Sequence, residues 1–415
     1  MFKRDGWISK SQRRLIRAAM GFAMLILAAL AASPSSQAQT YLETVVHNFG
    51  GPDGNYPNSV IADKNGNLYG TTGSGGAYNL GTVFQIDKTG DETVLYSFKG
   101  EPDGYGPVTL LANNSGELYG LTDRGGTFGF GTVFKLDMSG TEVVLYNFTG
   151  GSDGSYPYGL VQDAAGNLYG TTVGGGPSGF GTVFKLTPDG TETVLHSFAG
   201  APDGESPSGG LIRDAAGNLY GTTLVGGPYQ NCGFWNTGCG IVFKISPEGK
   251  ETTLYSFYYG GKGLDGEQPS GTLILDAEGN LYGTTQDGGG DGLYGDVYKL
   301  SPAGEETILY SFFGDDDGEN PMAGVVRDAA GNLYGTTYQG GNKGNCYGGF
   351  FYSGCGTAFE ISPSGLETQL HIFTGRDGEY PLGNSLIRDA AGKLYGTTQY
   401  GGTYGAGIVF KLTPQ

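Results

Sequence analysis

Gly166-Asn167-Leu168-Tyr169-Gly170-Thr171-Thr172, then Gly175-Gly176, then Gly181-Thr182-Val183-Phe184-Lys185-Leu186, decides how this chain folds. The first segment recurs, with small variations, from Gly66, Gly116, Gly217, Gly279, Gly331 and Gly392. The second apolar segment recurs from Gly81, Gly131, Gly240, Gly295, Gly356 and Gly407. A third, Glu-Thr-Val-Leu-Tyr-Ser-Phe in outline, starts at Glu43, Glu92, Glu142, Glu192, Glu251, Glu306 and Glu367. A fourth, Asp-Gly-x-x-Pro, starts at Asp53, Asp103, Asp153, Asp203, Asp265, Asp317 and Asp377. A repeat of this length is the mark of a modular fold rather than of one irregular core.

Each unit holds four strand-length pieces. In the third they are Gly159–Gln162 (a), Asn167–Thr172 (b), Thr182–Leu186 (c) and Thr193–Phe198 (d). β-Branched and aromatic residues fill them, and turn residues bound them. Asp163-Ala164-Ala165-Gly166 is expected to close the a–b hairpin, and Pro188-Asp189-Gly190 the c–d hairpin. Lys185 is then expected opposite Glu192. Four short antiparallel strands per unit predict an all-β, seven-bladed β-propeller. The ends predict how it closes. Glu43–Phe49 is a lone strand d, and Ser385–Leu412 supplies strands a, b and c of the last blade. Their pairing removes two sheet edges.

The first 38 residues read as a signal peptide. Lys10, Arg13, Arg14 and Arg17 precede an apolar run from Ala18 to Ala32, and Ser36-Gln37-Ala38 offers a cleavage site. Arg13-Arg14 also partly matches a twin-arginine signal. The propeller domain is then residues 39–415. The chain has 23 basic and 41 acidic residues. Six basic residues and one acidic residue fall in the signal, leaving 17 against 40 and a net charge near −23. Such a surface repels phosphate backbones and argues against nucleic acid as a partner. No second apolar stretch predicts a membrane span, and a secreted or periplasmic monomer is expected.

The Leu-Tyr-Gly-Thr-Thr, Gly-Gly and Gly-Thr-Val-Phe-Lys-Leu pattern resembles the GloVer tandem repeat of secreted bacterial proteins. The resemblance covers the whole mature chain. It implies the propeller fold and brings no established chemistry. Such proteins often carry a sorting anchor after the repeats; the stop at Gln415 implies free secretion or periplasmic residence. Kelch blades share the Gly-Gly pair, but the Trp that they carry is missing here.

Several residues look functional until the copies are aligned. His47, His196 and His371 share a place in strand d with Tyr96, Tyr146, Tyr255 and Tyr310, so a packed aromatic with a polar tip explains them. Gly150-Gly151-Ser152-Asp153-Gly154 matches a nucleophile-elbow string, yet no helix follows. Gly174, Gly176 and Gly179 match a dinucleotide string without the βαβ unit it needs. Cys232 with Cys239, and Cys346 with Cys355, read as two local disulfides of an exported protein.

Propeller topology puts the d–a and b–c loops on one face. The b–c loops vary most, and function tends to sit on variable loops. Tyr78, Phe130, Phe180, Trp235, Phe350, Phe351, Tyr352 and Tyr404 are the candidate ligand-binding residues; the competing reading is that they pack their own loops. The seven Asp-Gly aspartates fit Asx turns, while Asp315, Asp317 and Glu319 form the densest acidic group and a candidate Ca²⁺ site. No other cofactor is indicated. Function is therefore expected to be extracytoplasmic binding, of a polysaccharide or a surface protein. A carbohydrate-active hydrolase or lyase is the alternative, and a structural matrix protein the third. No acid–base pair stands out, which points away from catalysis.

Overall fold

The computed structural model describes residues 40–415 except 114, 230–231, 233–236, 259–264, 290–293, 315, 342–345, 347–353 and 384. The expected signal peptide, residues 1–38, lies outside the described residues. Among those described, 28 strands and no helix are present. They form seven four-stranded antiparallel sheets arranged as a ring: an all-β seven-bladed propeller.

The third blade shows how the sequence builds one sheet. Its strands are β10 (Ser155–Gln162), β11 (Leu168–Gly174), β12 (Thr182–Leu186) and β13 (Glu192–Ser197). In the a–b turn, Asp163 Oδ1 accepts from the N–H groups of Ala165 and Asn167, and Gly166 (φ 87°) donates to the Asp163 carbonyl. Strand a starts earlier than its sequence suggests, at Ser155. Pro157 is tolerated because this innermost strand is a sheet edge, where a missing donor costs no ladder bond.

The expected Lys185–Glu192 pair does not form. Leu186 lies opposite Glu192 and Lys185 opposite Thr193. A shift of one residue turns side chains to the other side of a sheet. Lys185 instead lies over the Tyr169 ring, which frees Glu192 for a contact described below.

Ring closure follows the sequence. The N-terminal strand β1 (Tyr41–Asn48) pairs antiparallel with the C-terminal strand β28 (Ile408–Pro414), from Tyr41 opposite Pro414 to Asn48 opposite Ile408. The last sheet therefore has the order β1-β28-β27-β26, with β26 at Ile387–Arg388 and β27 at Leu394–Thr398.

Neighbouring blades are joined by aromatic pairs. Phe148, after strand d of the second blade, meets Phe184 in strand c of the third at 5.1 Å between ring centroids. Six equivalent pairs complete the circle, including Phe49–Phe84 and Phe373–Phe410. Phe148 and Phe184 are fully buried. Gly170 makes this possible, since a Cβ there would lie 2.6 Å from the Phe184 ring. The glycine of the Leu-Tyr-Gly-Thr-Thr segment is thus a docking slot for a ring.

Candidate functional site

The d–a and b–c loops share one face and hold each other in place. Gly76 donates its N–H to the Gly51 carbonyl at 2.8 Å, and Gly176 and Gly402 do the same to Gly151 and Gly375. The residue before each loop proline sits in the left-handed region, from Tyr56 (φ 60°) to Tyr380 (φ 56°). That conformation is unfavourable for a non-glycine residue. It lets the Tyr156 N–H reach the Phe130 carbonyl of the preceding blade at 3.0 Å, and Tyr56 and Tyr380 make the equivalent bonds to Ala406 and Cys355.

The loop aspartates are all engaged. Asp53 accepts from the Gly50 N–H at 2.9 Å and contacts His47 Nε2 at 2.8 Å. His196 and His371 contact Asp203 and Asp377 in the same way. In the other blades the tyrosine hydroxyl donates to the aspartate: Tyr96 to Asp103 at 2.6 Å, Tyr146 to Asp153 at 3.1 Å, Tyr255 to Asp265 at 2.6 Å and Tyr310 to Asp317 at 2.8 Å. Each histidine also packs edge-on against the phenylalanine two residues on, as His47 does on Phe49 at 4.7 Å. His and Tyr are interchangeable here because both offer a flat ring and a polar tip.

A third partner reaches each aspartate from the next blade. The glutamate that opens strand d stands opposite the preceding aspartate: Glu92 by Asp53, Glu142 by Asp103, Glu192 by Asp153 and Glu367 by Asp317. Its Oε1 is buried without a hydrogen-bond partner in Glu43, Glu92, Glu142, Glu192, Glu306 and Glu367. Burial first, and the aspartate second, pushes Glu92, Glu142, Glu192 and Glu367 up to about 7. Perturbed carboxyls often mark active sites. These recur around the ring, and so belong to the joints between blades.

Asp296 departs from the repeat. Its place holds Thr82, Thr132, Thr182 and Thr357 in four copies and Ile241 and Ile408 in two, and each threonine hydroxyl donates to the backbone carbonyl of its blade's loop aspartate. Asp296 is fully buried, and burial pushes its carboxyl up to about 7, against the lowering effect of the nearby Ser311 hydroxyl.

The candidate ligand-binding aromatics divide into two kinds. Tyr78 and Tyr404 are open to solvent, at 55% and 69% exposure, although one edge of the Tyr404 ring also lies over Gly50. Phe130 and Phe180 are half-buried. Their rings lie over the next d–a loop, where a Cβ on Gly150 or Gly200 would come within 2.6 and 3.0 Å of them. They pack against the neighbouring d–a loop rather than their own. The signal was the alignment itself: the place before the Gly131-type glycine holds Leu80, Phe130, Phe180, Cys239, Tyr294, Cys355 or Ala406. The exposed aromatic of the second blade is Phe128, which the sequence reading missed. Trp235, Phe350, Phe351 and Tyr352 lie outside the described residues.

Cys232 pairs with Cys239 and Cys346 with Cys355, with Cα–Cα distances of 5.0 and 5.5 Å. Cys239 and Cys355 are fully buried at the loop-packing position. Of the acidic group, Asp315 lies outside the described residues. Asp317 already holds the Tyr310 hydroxyl and the Phe313 N–H. Glu319 is buried, with its backbone paired to Gln339. Among the described residues, these carboxylates do not converge with a third ligand atom.

Between the last two loops of the chain lies a cavity of about 690 Å³, lined by Thr374, Arg376, Glu379 and Tyr404. Tyrosines continue beside it. Tyr400 pairs through its backbone with Glu379. Its ring lies 5.0 Å from Tyr56 and 6.0 Å from Tyr380, which stacks on Tyr338 at 4.9 Å. Tyr56 is 38% exposed. The sequence reading overlooked Tyr56 and Tyr400, because copies differ at those places and neither sits in the part of the loop that varies in length.

No curated protein matches the chain. Among solved structures, it is similar to the extracellular domains of two B. thetaiotaomicron proteins, assigned as a hybrid two-component system and a one-component system. The TM-scores are 0.56 and 0.52, at 11% and 16% identity over 91% of this chain. The chain spans only 41% and 42% of those two structures, so the likeness is one of fold. A gluconolactonase from Xanthomonas campestris aligns at a TM-score of 0.44 and 16% identity, over 90% of this chain and all of that one, too distant to bear on activity. The repeat itself is decisive: the family model of the Gloeobacter/Verrucomicrobia repeat matches residues 34–235, 203–353 and 235–415, and the chain belongs to that family.

Proposed function

We propose that this propeller is an extracytoplasmic binding module whose d–a and b–c loop face recognises a polysaccharide. The observation that carries the reading is the tyrosine group beside the cavity. Tyr404 and Tyr56 present flat apolar rings to solvent, while Arg376 and Glu379 line the adjoining hollow. Ligand sites combine apolar and aromatic walls with a few placed polar groups. Sugar rings offer apolar C–H faces to an aromatic platform and hydroxyls to polar neighbours. Two disulfides suit an oxidising compartment, and residues 1–38 supply the export signal in this reading.

A glycan array probed with the purified protein tests it. Binding to one glycan class should weaken at least tenfold in Tyr404→Ala and in Tyr56→Ala, with thermal stability kept. No glycan bound, or binding untouched by both substitutions, overturns the proposal. Capture of a surface protein alone would turn the same face to protein recognition.

A further inference from the structure

We propose that His47, Asp53 and Glu92 form a binding site for one divalent transition-metal ion at the joint where the ring closes. The three side chains come from β1, from the loop after it, and from β5 (Glu92–Ser97), the outer strand of the next blade. One ligand atom from each lies within 4.8 Å of the other two. Among the described residues, no other set of a histidine and two carboxylates comes so close. Cys232, Cys239 and Glu267 also approach one another, but those cysteines are spent on a disulfide.

The donor set selects the class of ion. One imidazole nitrogen with two carboxylate oxygens suits zinc or a neighbouring divalent metal, whereas calcium and magnesium favour oxygen alone. Zinc sits about 2.0–2.2 Å from such ligands. Tetrahedral ligand atoms are then roughly 3.3 Å apart, so His47 Nε2 and Asp53 Oδ2, now at 2.8 Å, need to part only slightly. The Gly50 N–H keeps its hold on Asp53 Oδ1 and fixes the carboxylate. Glu92 Oε1 is buried and accepts no hydrogen bond, as in five sister glutamates, but among the described residues only at Glu92 do a histidine nitrogen and an aspartate oxygen both come within 4.8 Å of the glutamate carboxylate. His47 and Asp53 are 19% and 22% exposed, which leaves a path for the ion and for a completing water.

The repeat provides its own controls. Tyr96 makes the His47 contact in the next blade, on Asp103, without a nitrogen ligand. His47→Tyr should therefore keep the packing and remove the metal. His196 has the same Asp203 contact and loop setting, but Glu251, in the place of Glu92, accepts from the Thr253 hydroxyl and the three ligand atoms do not all lie within 4.8 Å, so His196→Tyr should change nothing.

The tag-free protein would be titrated with zinc by calorimetry, in excess magnesium to occupy surface carboxylates. The expected result is one zinc per chain, with affinity at least tenfold weaker in His47→Tyr and in Glu92→Gln. His196→Tyr should bind as the unaltered protein does. Zinc should also raise the melting temperature of the unaltered protein and not that of His47→Tyr. No saturable binding overturns the site, as does equal affinity in His47→Tyr, or equal loss in His196→Tyr. None of these outcomes involves a glycan, so the proposal stands or falls apart from the polysaccharide reading.

Discussion

Replacing Glu142, Glu192 and Glu367 by glutamine should stabilise the propeller at alkaline pH and leave it unchanged in acid. Each of these carboxyls faces the aspartate of the loop that enters its own blade, Asp103, Asp153 and Asp317. Each has a buried Oε1 without a partner. Burial and the facing charge push all three from 4.5 to about 7 in the folded protein. A carboxyl whose folded value exceeds its unfolded one favours folding in its protonated form. Its cost is absent below pH 4.5, grows between 4.5 and 7, and is complete above 7. Taken in full, the displacement equals roughly 3 kcal/mol per site. The side chains are only half-buried, so solvent screening reduces this to about 1 kcal/mol each. Three separate joints should add to about 3 kcal/mol. At roughly 2.1 cal/mol/K per residue, that is a rise of about 4 °C in melting temperature. Scanning calorimetry at pH 4 and pH 8.5 reads it. The reasoning fails if the gain is the same at both values, or if the triple variant melts lower at pH 8.5.

Three further perturbations separate other parts of the account. Asp296→Thr restores the residue that four sister blades use and should stabilise by about 2 kcal/mol at pH 8; a lower denaturation midpoint would show that the contact with Ser311 outweighs the cost of burying the carboxyl. Phe148→Ala empties a fully buried ring contact between blades and should cost about 3–5 kcal/mol in urea unfolding; a loss below 1 kcal/mol would mean the blades dock by other means. Deleting residues 40–49 strips β1 from β28 and should lower the melting temperature of the whole ring rather than of one blade; an unchanged transition would refute closure through the N-terminus.

What could be read in advance depended on whether a feature repeats within one unit or is formed between two. The strand segments, the Asp163–Gly166 and Pro188–Gly190 turns and the shared loop face all follow from local alternation and turn chemistry. The lone Glu43–Phe49 strand and the incomplete last unit were enough to place the ring closure. Alignment of the copies also explains His47, His196 and His371, because tyrosine stands in their place. It could equally have separated Phe130 from Phe128, since the residue before the Gly131-type glycine is aliphatic, aromatic or Cys in every copy.

Blade-to-blade contacts stayed hidden. Glu192 was expected across the hairpin from Lys185; it instead turns to Asp153, in the loop that enters its own blade and caps the tyrosine of the blade before. No periodicity pairs these residues, because the twist of each sheet and the docking of Phe148 on Phe184 set the distance between them. The same holds for Tyr56 beside Tyr400, which meet only because the two ends of the chain close one blade, and for His47, Asp53 and Glu92, which meet where β1 packs beside the first blade. The sequence by itself determined seven four-stranded units and the strand that seals them, since hairpins and alternation are properties of neighbouring residues. Tertiary structure alone decided which carboxyls are forced together and which tyrosines share a surface, since those depend on the angle at which one rigid sheet packs against the next.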